Sequence, residues 1–160
     1  MHTIPPVSTA LMNIGIPHEI FVHQEPPKTL EQAAIERGQR PEQIIRSILF
    51  RISEDDYVMV LMAGPGQIQW KALRKKLGVS RITMASREEI KEVTGYKIGA
   101  VAPFGLHQPF RVLVDQSVAK ESIISMGSGI VGTAIILESR DLLRALGHPE
   151  TGSFGVNKPN

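Results

Sequence analysis

The sequence predicts an α+β fold, a single domain with a curved, mixed and mostly antiparallel sheet flanked by helices. Three observations predict it. Strand-like and helix-like stretches alternate irregularly instead of as regular βα units, the joining segments are short, and the two longest strand-like runs are separated only by the polar turn SEDD. With 160 residues, 42% hydrophobic and 21% charged, the chain can bury one substantial core. Neither an internal repeat nor a low-complexity block divides it. One domain is therefore expected over residues 5–147, with the Gly/Pro-rich residues 148–160 as a flexible tail.

Each element has a local reason. After a short N-terminal helix, HEIFVH reads as a strand. TLEQAAIERG reads as a helix in which Thr29 is the N-cap, Gln32 completes a capping box and Gly38 stops the last turn. IIRSILFRI and YVMVLMA read as an antiparallel pair, the second apolar at every position and hence central. WKALRKKLG is a helix ending at Gly78, RITMA a short strand, and SREEIKEVTG a helix opened by the Ser86–Glu89 box and closed at Gly95. FRVLVD is a further strand, ESIISMGSGIVGTAIIL holds two more, and SRDLLRALG is the closing helix.

Composition removes several function classes. There is no cysteine, which excludes disulfide frameworks, thiolate zinc sites and a cysteine nucleophile. His18 and His23 fall five apart on a strand, on opposite faces, and no H-E-x-x-H occurs, so no metal and no other cofactor is expected. The N-terminus lacks a basic leader, and no apolar run is long enough to cross a bilayer. A cytoplasmic protein without a membrane partner is the expectation. A net charge of +2 does not by itself imply a nucleic-acid partner, and DNA is not an expected one.

Four local patterns could carry chemistry. On IIRSILFRI the period-2 rule groups Ile44, Arg46, Ile48, Phe50 and Ile52, a face that is apolar except for Arg46. Such a guanidinium either meets a carboxylate, Glu31 or Asp115, or lines a wet pocket for an anionic or carbonyl ligand. GYKIGAVAPFG, residues 95–105, carries three glycines and Pro103; it reads either as a pocket wall of close-approaching main-chain amides or as a helix stop followed by a wide turn. In MGSGIVG, Ser128 stands directly between Gly127 and Gly129, which is not the G-x-S-x-G spacing of a hydrolase elbow. Lys71, Arg74, Lys75, Lys76 and Arg81 form a basic cluster that could dock phosphates or simply be a solvated helix face, with Trp70 and Leu73 on its buried side.

Taken in order, QIIRSILF, VLMAGPGQIQWKALRKKLG, RITMASREEIKEVTGYKIGAVAPFG, VLVD, GSG and DLLRAL resemble the YbaK/prolyl-tRNA synthetase editing-domain family. The likeness runs over residues 11–146, and its most specific part is ASREEIKEVTGYKIGAVAPFG. The resemblance implies a partly open barrel and a free-standing aminoacyl-tRNA deacylase that works in trans. Its substrate would be a tRNA, such as tRNA for proline, carrying a wrong small residue such as alanine or cysteine. Its partner would be prolyl-tRNA synthetase or another synthetase.

The family's G-x-x-x-P loop falls on Gly99, Ala100, Val101, Ala102 and Pro103, and Arg46 stands where the best-known members have lysine. Arg46 cannot act as a general base, so the role left to it is binding phosphate or the ester carbonyl. His23, Thr29, Ser47, Gly127, Ser128, Gly129 and Thr133 are the implied substrate contacts, Ser128 and Thr133 as hydroxyls that orient water. Lys71, Arg74, Lys75 and Lys76 are the implied tRNA contacts. The Cys-specific G-x-R-G-x-D pattern is absent at residues 129–134, which weakens a cysteine assignment. As the family mechanism implies, main-chain amides and the substrate's own free ribose hydroxyl would position water at the ester. A non-catalytic tRNA-binding or regulatory module of the same fold, and an ester hydrolase that never engages tRNA, are the competing readings.

Overall fold

In the computed structural model, which describes residues 3–156, the apolar runs form eight strands and the amphipathic runs five α-helices. In chain order these are α1 (Pro6–Asn13), β1 (Glu19–Val22), α2 (Leu30–Arg37), β2 (Ile45–Ser53), β3 (Asp56–Ala63), α3 (Trp70–Leu77), β4 (Thr83–Met84), α4 (Arg87–Thr94), β5 (Arg111–Asp115), β6 (Ile123–Gly127), β7 (Thr133–Glu138), α5 (Ser139–Ala145) and β8 (Glu150–Gly152).

Helix ends follow the expected chemistry. The Thr29 hydroxyl accepts from the Gln32 amide and Gly38 closes α2 in the left-handed region; Ser86 and Glu89 form the reciprocal box that opens α4. Gly78 and Gly95 stop α3 and α4 in the same left-handed conformation.

The strands build two sheets that do not close into a barrel. One has the order β1-β7-β6, wholly antiparallel; the other has the order β4-β2-β3-β5-β8, with β3–β5 and β5–β8 parallel. Central β3, buried from Val58 to Met62, bears out the all-apolar run. A parallel bridge between Ile44 and Ser125 links the N-terminal end of β2 to β6 and so joins the sheets.

Two apolar cores lie on opposite faces of the larger sheet. Ile45, Leu49, Met59 and Leu61 face the main core with Val7, Leu11, Met126, Ile135 and Leu142. Phe50, Val58, Val60 and Met62 face Leu73 of α3 and Phe154. Ile44 joins Ala33 and Ala34 of α2 in a third, small cluster.

Two expectations need correction. The segment after α5 does not fray: β8 extends the sheet beside β5, Phe154 is 1% exposed, and its carbonyl accepts from the Gln69 amide. The folded unit therefore runs to Val156, held by an apolar anchor that the surrounding Gly and Pro disguise; residues 157–160 lie outside the described residues. Trp70 is not on the buried side with Leu73, being 37% exposed with its ring edge-on to Phe50.

Candidate functional site

The site is built from three rows of residues running across β1, β7, β6 and β2. In one row Glu19, Ile136 and Ser125 stand opposite one another and Ile44 completes it through the parallel bridge. In the next, Phe21, Ala134 and Gly127 are partners. Two residues beyond Ile44 on β2, Arg46 emerges on the same face, as Gly127 does two residues beyond Ser125 on β6. The third row begins at His23, whose amide donates to the Gly132 carbonyl.

The loop at 99–102 is placed over this face by Gly127. A Cβ at Gly127 would stand 2.8 Å from the Ala100 carbonyl carbon and oxygen, so only glycine lets the loop backbone come this close. The Gly129 amide donates to the Ala100 carbonyl at 2.9 Å and fixes the approach from the other side. Gly99 itself has φ of 90°, where side chains are strained, yet faces open space. Ala100 donates its amide to the Lys97 carbonyl, whereas the amides of Gly99, Val101 and Ala102 find no acceptor among the described residues. Val101 and Ala102 are nevertheless 9% and 0% exposed. Buried main-chain N–H groups are almost always paired, so the Val101 and Ala102 amides are unmet donors, while Gly99 is open to water.

Arg46 does not meet Glu31 or Asp115. Asp115 instead accepts from the Ser117 and Phe154 amides. One Nη of Arg46 donates to the Gly66 carbonyl, and its Nε is buried with no partner among the described residues. Desolvation holds its guanidinium below the ordinary arginine range. A half-buried cation with one neutral acceptor and an orphan donor is under-satisfied, and an anion or carbonyl oxygen would complete it.

The other predicted contacts divide. Gly127 and Gly129 meet the 99–102 loop as described, and Pro103 turns the chain away from it into a cleft of about 630 Å³ that extends to Phe110 and His148. His23 is 6% exposed, with Nδ1 2.7 Å from Glu36 Oε1. Thr29 serves as the α2 cap. Ser47 lies on the opposite face of β2 from Arg46, its hydroxyl without a partner among the described residues.

The hydroxyls of Ser128 and Thr133 bond each other and the Ile130 carbonyl, and Ser128 is 0% exposed; they hold the 128–133 turn. Lys71, Lys75 and Lys76 are exposed on the solvent side of α3, and Arg74 is half-buried. None of the four forms an ion pair among the described residues.

Sequence reasoning passed over Arg37, which donates from Nε to His23 Nε2 at 3.0 Å and from Nη1 to Ser125 Oγ at 2.8 Å. A signal was present: Arg37 follows the buried Ala33 and Ala34 by four and three positions, on the same helical face. The contact to Ser125, 88 residues away, had none.

Among the described residues no helix is long and apolar enough to span a membrane, and no group of His, Asp and Glu is arranged to hold a metal. Solved structures share the fold. A hypothetical protein named APE2540 superposes with a TM-score of 0.86 at 20% identity, covering 94% of this chain and 99% of that one. A protein described as a candidate trans-editing enzyme for prolyl tRNA synthetase gives 0.85 at 22% identity, over 95% and 96%.

In sequence, YwhH of Bacillus subtilis (strain 168), which is uncharacterised, is 33% identical over 71% of this chain and 72% of its own length. The proline–tRNA ligase of Brachyspira hyodysenteriae (strain ATCC 49526 / WA1) is 31% identical over 69% of this chain, which spans only 18% of that enzyme. The model of the aminoacyl-tRNA editing domain matches residues 24–145, from just after β1 through α5, and so takes in the Arg46 strand, the 99–102 loop and the 127–133 turn. With strand, loop and turn all inside that match, the chain belongs to the aminoacyl-tRNA editing domain family.

Proposed function

We propose that the protein is a trans-editing hydrolase that cleaves the ester of mischarged aminoacyl-tRNA bearing a small residue such as alanine or cysteine, on tRNA for proline among other acceptors. The observation that supports this reading is the set of unpaired amides at Gly99, Val101 and Ala102 in the loop that packs on Gly127, together with the unpartnered Nε of Arg46. An aminoacyl ester is already activated. Donors aimed at the developing oxyanion, together with a positioned water, suffice for its hydrolysis without a nucleophilic side chain.

In this mechanism the 99–102 amides hold the ester oxygen and Arg46 grips the terminal nucleotide. The substrate's free ribose hydroxyl assists attack by water. Membership in the editing-domain family and the unengaged cations of α3 support RNA as the carrier of the acyl group. The working compartment would be the cytoplasm, where charged tRNA is used.

The test is hydrolysis of tRNAs charged with alanine, cysteine, serine or proline. Acceleration over buffer by the native chain, lost in Arg46→Ala, is expected; hydrolysis of none of them, nor of a wider panel, refutes the proposal. Residues one methylene apart should differ by only about 1–3 kcal/mol in transition-state binding.

A further inference from the structure

The cleft of about 630 Å³ that begins at Pro103 has no part in the mechanism above. Its volume falls within the roughly 300–1,000 Å³ of small-molecule sites. Phe104, His107, Phe110 and His148 line it, so four ring side chains from two separate segments surround one hollow. The two phenyl rings are half-buried and the two imidazoles exposed. Pro103, also in the lining, directly follows Ala102, whose unpaired amide is one of the donors assigned to the ester.

Local contacts hold the walls in place. The buried Tyr96 hydroxyl donates to the Phe104 carbonyl at 2.7 Å, with the Gly105 carbonyl at 2.9 Å. Gly105 has φ of 67°, and a Cβ there would strike that hydroxyl. His107 lies against Gly95, where a Cβ would stand 2.8 Å from its Cδ2. Gly95, Tyr96 and Gly105 are thus the members of GYKIGAVAPFG that shape the cleft rather than the 99–102 loop. On the opposite wall, β8 pairs with β5 from Glu150 onward and so anchors the chain two residues after His148.

Positive charge leads from α3 to the same cleft. Arg111 and Glu150, both in its lining, form a two-pronged ion pair at 2.7 and 2.9 Å. Arg111 above all holds the Glu150 carboxyl below the ordinary carboxylate range, and the field of Lys76 adds to it. The last turn of α3 therefore lies near this part of the lining.

We propose that the cleft receives an unpaired base of the tRNA acceptor end, stacked on its rings while α3 holds neighbouring phosphates and the 99–102 loop holds the ester. The choice of RNA rests on the function proposed above. Phenyl and imidazole rings are the usual platforms for single-stranded bases, and each stacked base adds severalfold in affinity or more. An acyl residue as small as alanine would leave most of the volume empty, so the occupant is the nucleotide rather than the amino acid.

The test is titration of the intact protein with the trinucleotide CCA and with an abasic ribose–phosphate chain of the same length and charge. Binding is followed by the ring C–H resonances of Phe104, His107, Phe110 and His148. CCA is expected to bind at least fivefold more tightly than the abasic chain and to shift these signals. The advantage should fall below twofold in the double variant His107→Ala with His148→Ala, both sites being exposed. In deacylation the same variant should raise KM at least fivefold with kcat within twofold.

Equal binding of the two chains, binding of neither, shifts confined to other residues, or an advantage that survives the double variant refutes the base cleft. The resonances are read on the native protein, so they decide the matter even if the variant fails to fold. A protein that cleaves no ester yet binds CCA through these rings loses the deacylase and keeps the cleft. One that cleaves esters without a base-dependent advantage does the reverse.

Discussion

At the scale of single residues, Arg46 separates the two roles that its apolar strand face allowed. The carboxylates within reach of a sequence argument, Glu31 and Asp115, are not its partners, and its Nε is unpaired among the described residues. Arg46→Ala should therefore cost deacylation far more than stability, while Arg46→Lys, which keeps the charge but not the fork, should retain part of the rate; single-turnover kinetics and thermal melts distinguish these outcomes. Period-2 counting made the side of the strand legible. It could not show what a long side chain meets at its tip, and so the Gly66 carbonyl was invisible. Ser128 teaches the same lesson in reverse, since its hydroxyl closes a turn with Thr133 and Ile130.

At the scale of elements, local chemistry carried most of the reading. Capping pairs, glycine stops and the SEDD turn are interactions within a few residues, which is why α2, α4 and the β2–β3 pair stand where the sequence put them. Ser86→Ala should destabilise the protein by about 1 kcal/mol by leaving the Glu89 amide without its cap, measurable by urea titration. The Ser86 amide, then the Tyr57 hydroxyl, hold the Glu89 carboxylate below the ordinary range. Its folded value is thus depressed, so its contribution is present above an ordinary carboxylate pKa of about 4.3 and is lost as pH falls through the folded value. Glu89→Gln should accordingly flatten the acid limb of the stability curve below about pH 5.

The turn at Gly127 gives an element-scale test of the site. Gly127→Ala must push back the Ala100–Val101 backbone, and deacylation should drop by at least tenfold with the melt still cooperative. On α3, Lys75→Glu with Lys76→Glu should weaken tRNA binding. The salt slope should become shallower by roughly 0.7 to 0.9 for each phosphate that the variant no longer neutralises, read by filter binding across salt concentrations.

At the scale of the whole molecule, long-range pairing is what the sequence concealed. The parallel alignment of β8 with β5 joins segments nearly forty residues apart, and the bridge of Ile44 to Ser125 joins more distant ones. Neither leaves a local pattern. Phe154→Ala should cost about 3–5 kcal/mol, because the ring is fully buried against Val58, Met62 and Leu113 rather than waving in a tail. The same sheet-to-sheet bridge brings Ile44, two residues before Arg46, against Ser125, two residues before the Gly127 on which the loop between α4 and β5 packs. Family likeness pointed to those residues individually, while the registers explain how β2, β6 and the 99–102 loop come to adjoin.

The most direct measurement is the rate at which the purified chain releases the amino acid from alanyl-tRNA, set beside buffer alone and beside Arg46→Ala and Gly127→Ala. A site that uses the under-satisfied Arg46 and the unpaired amides of the loop on Gly127 predicts release well above the uncatalysed rate by the native chain and a drop of at least tenfold in both variants. Undiminished release by both variants, or a native rate equal to buffer across the panel of mischarged tRNAs, would contradict it.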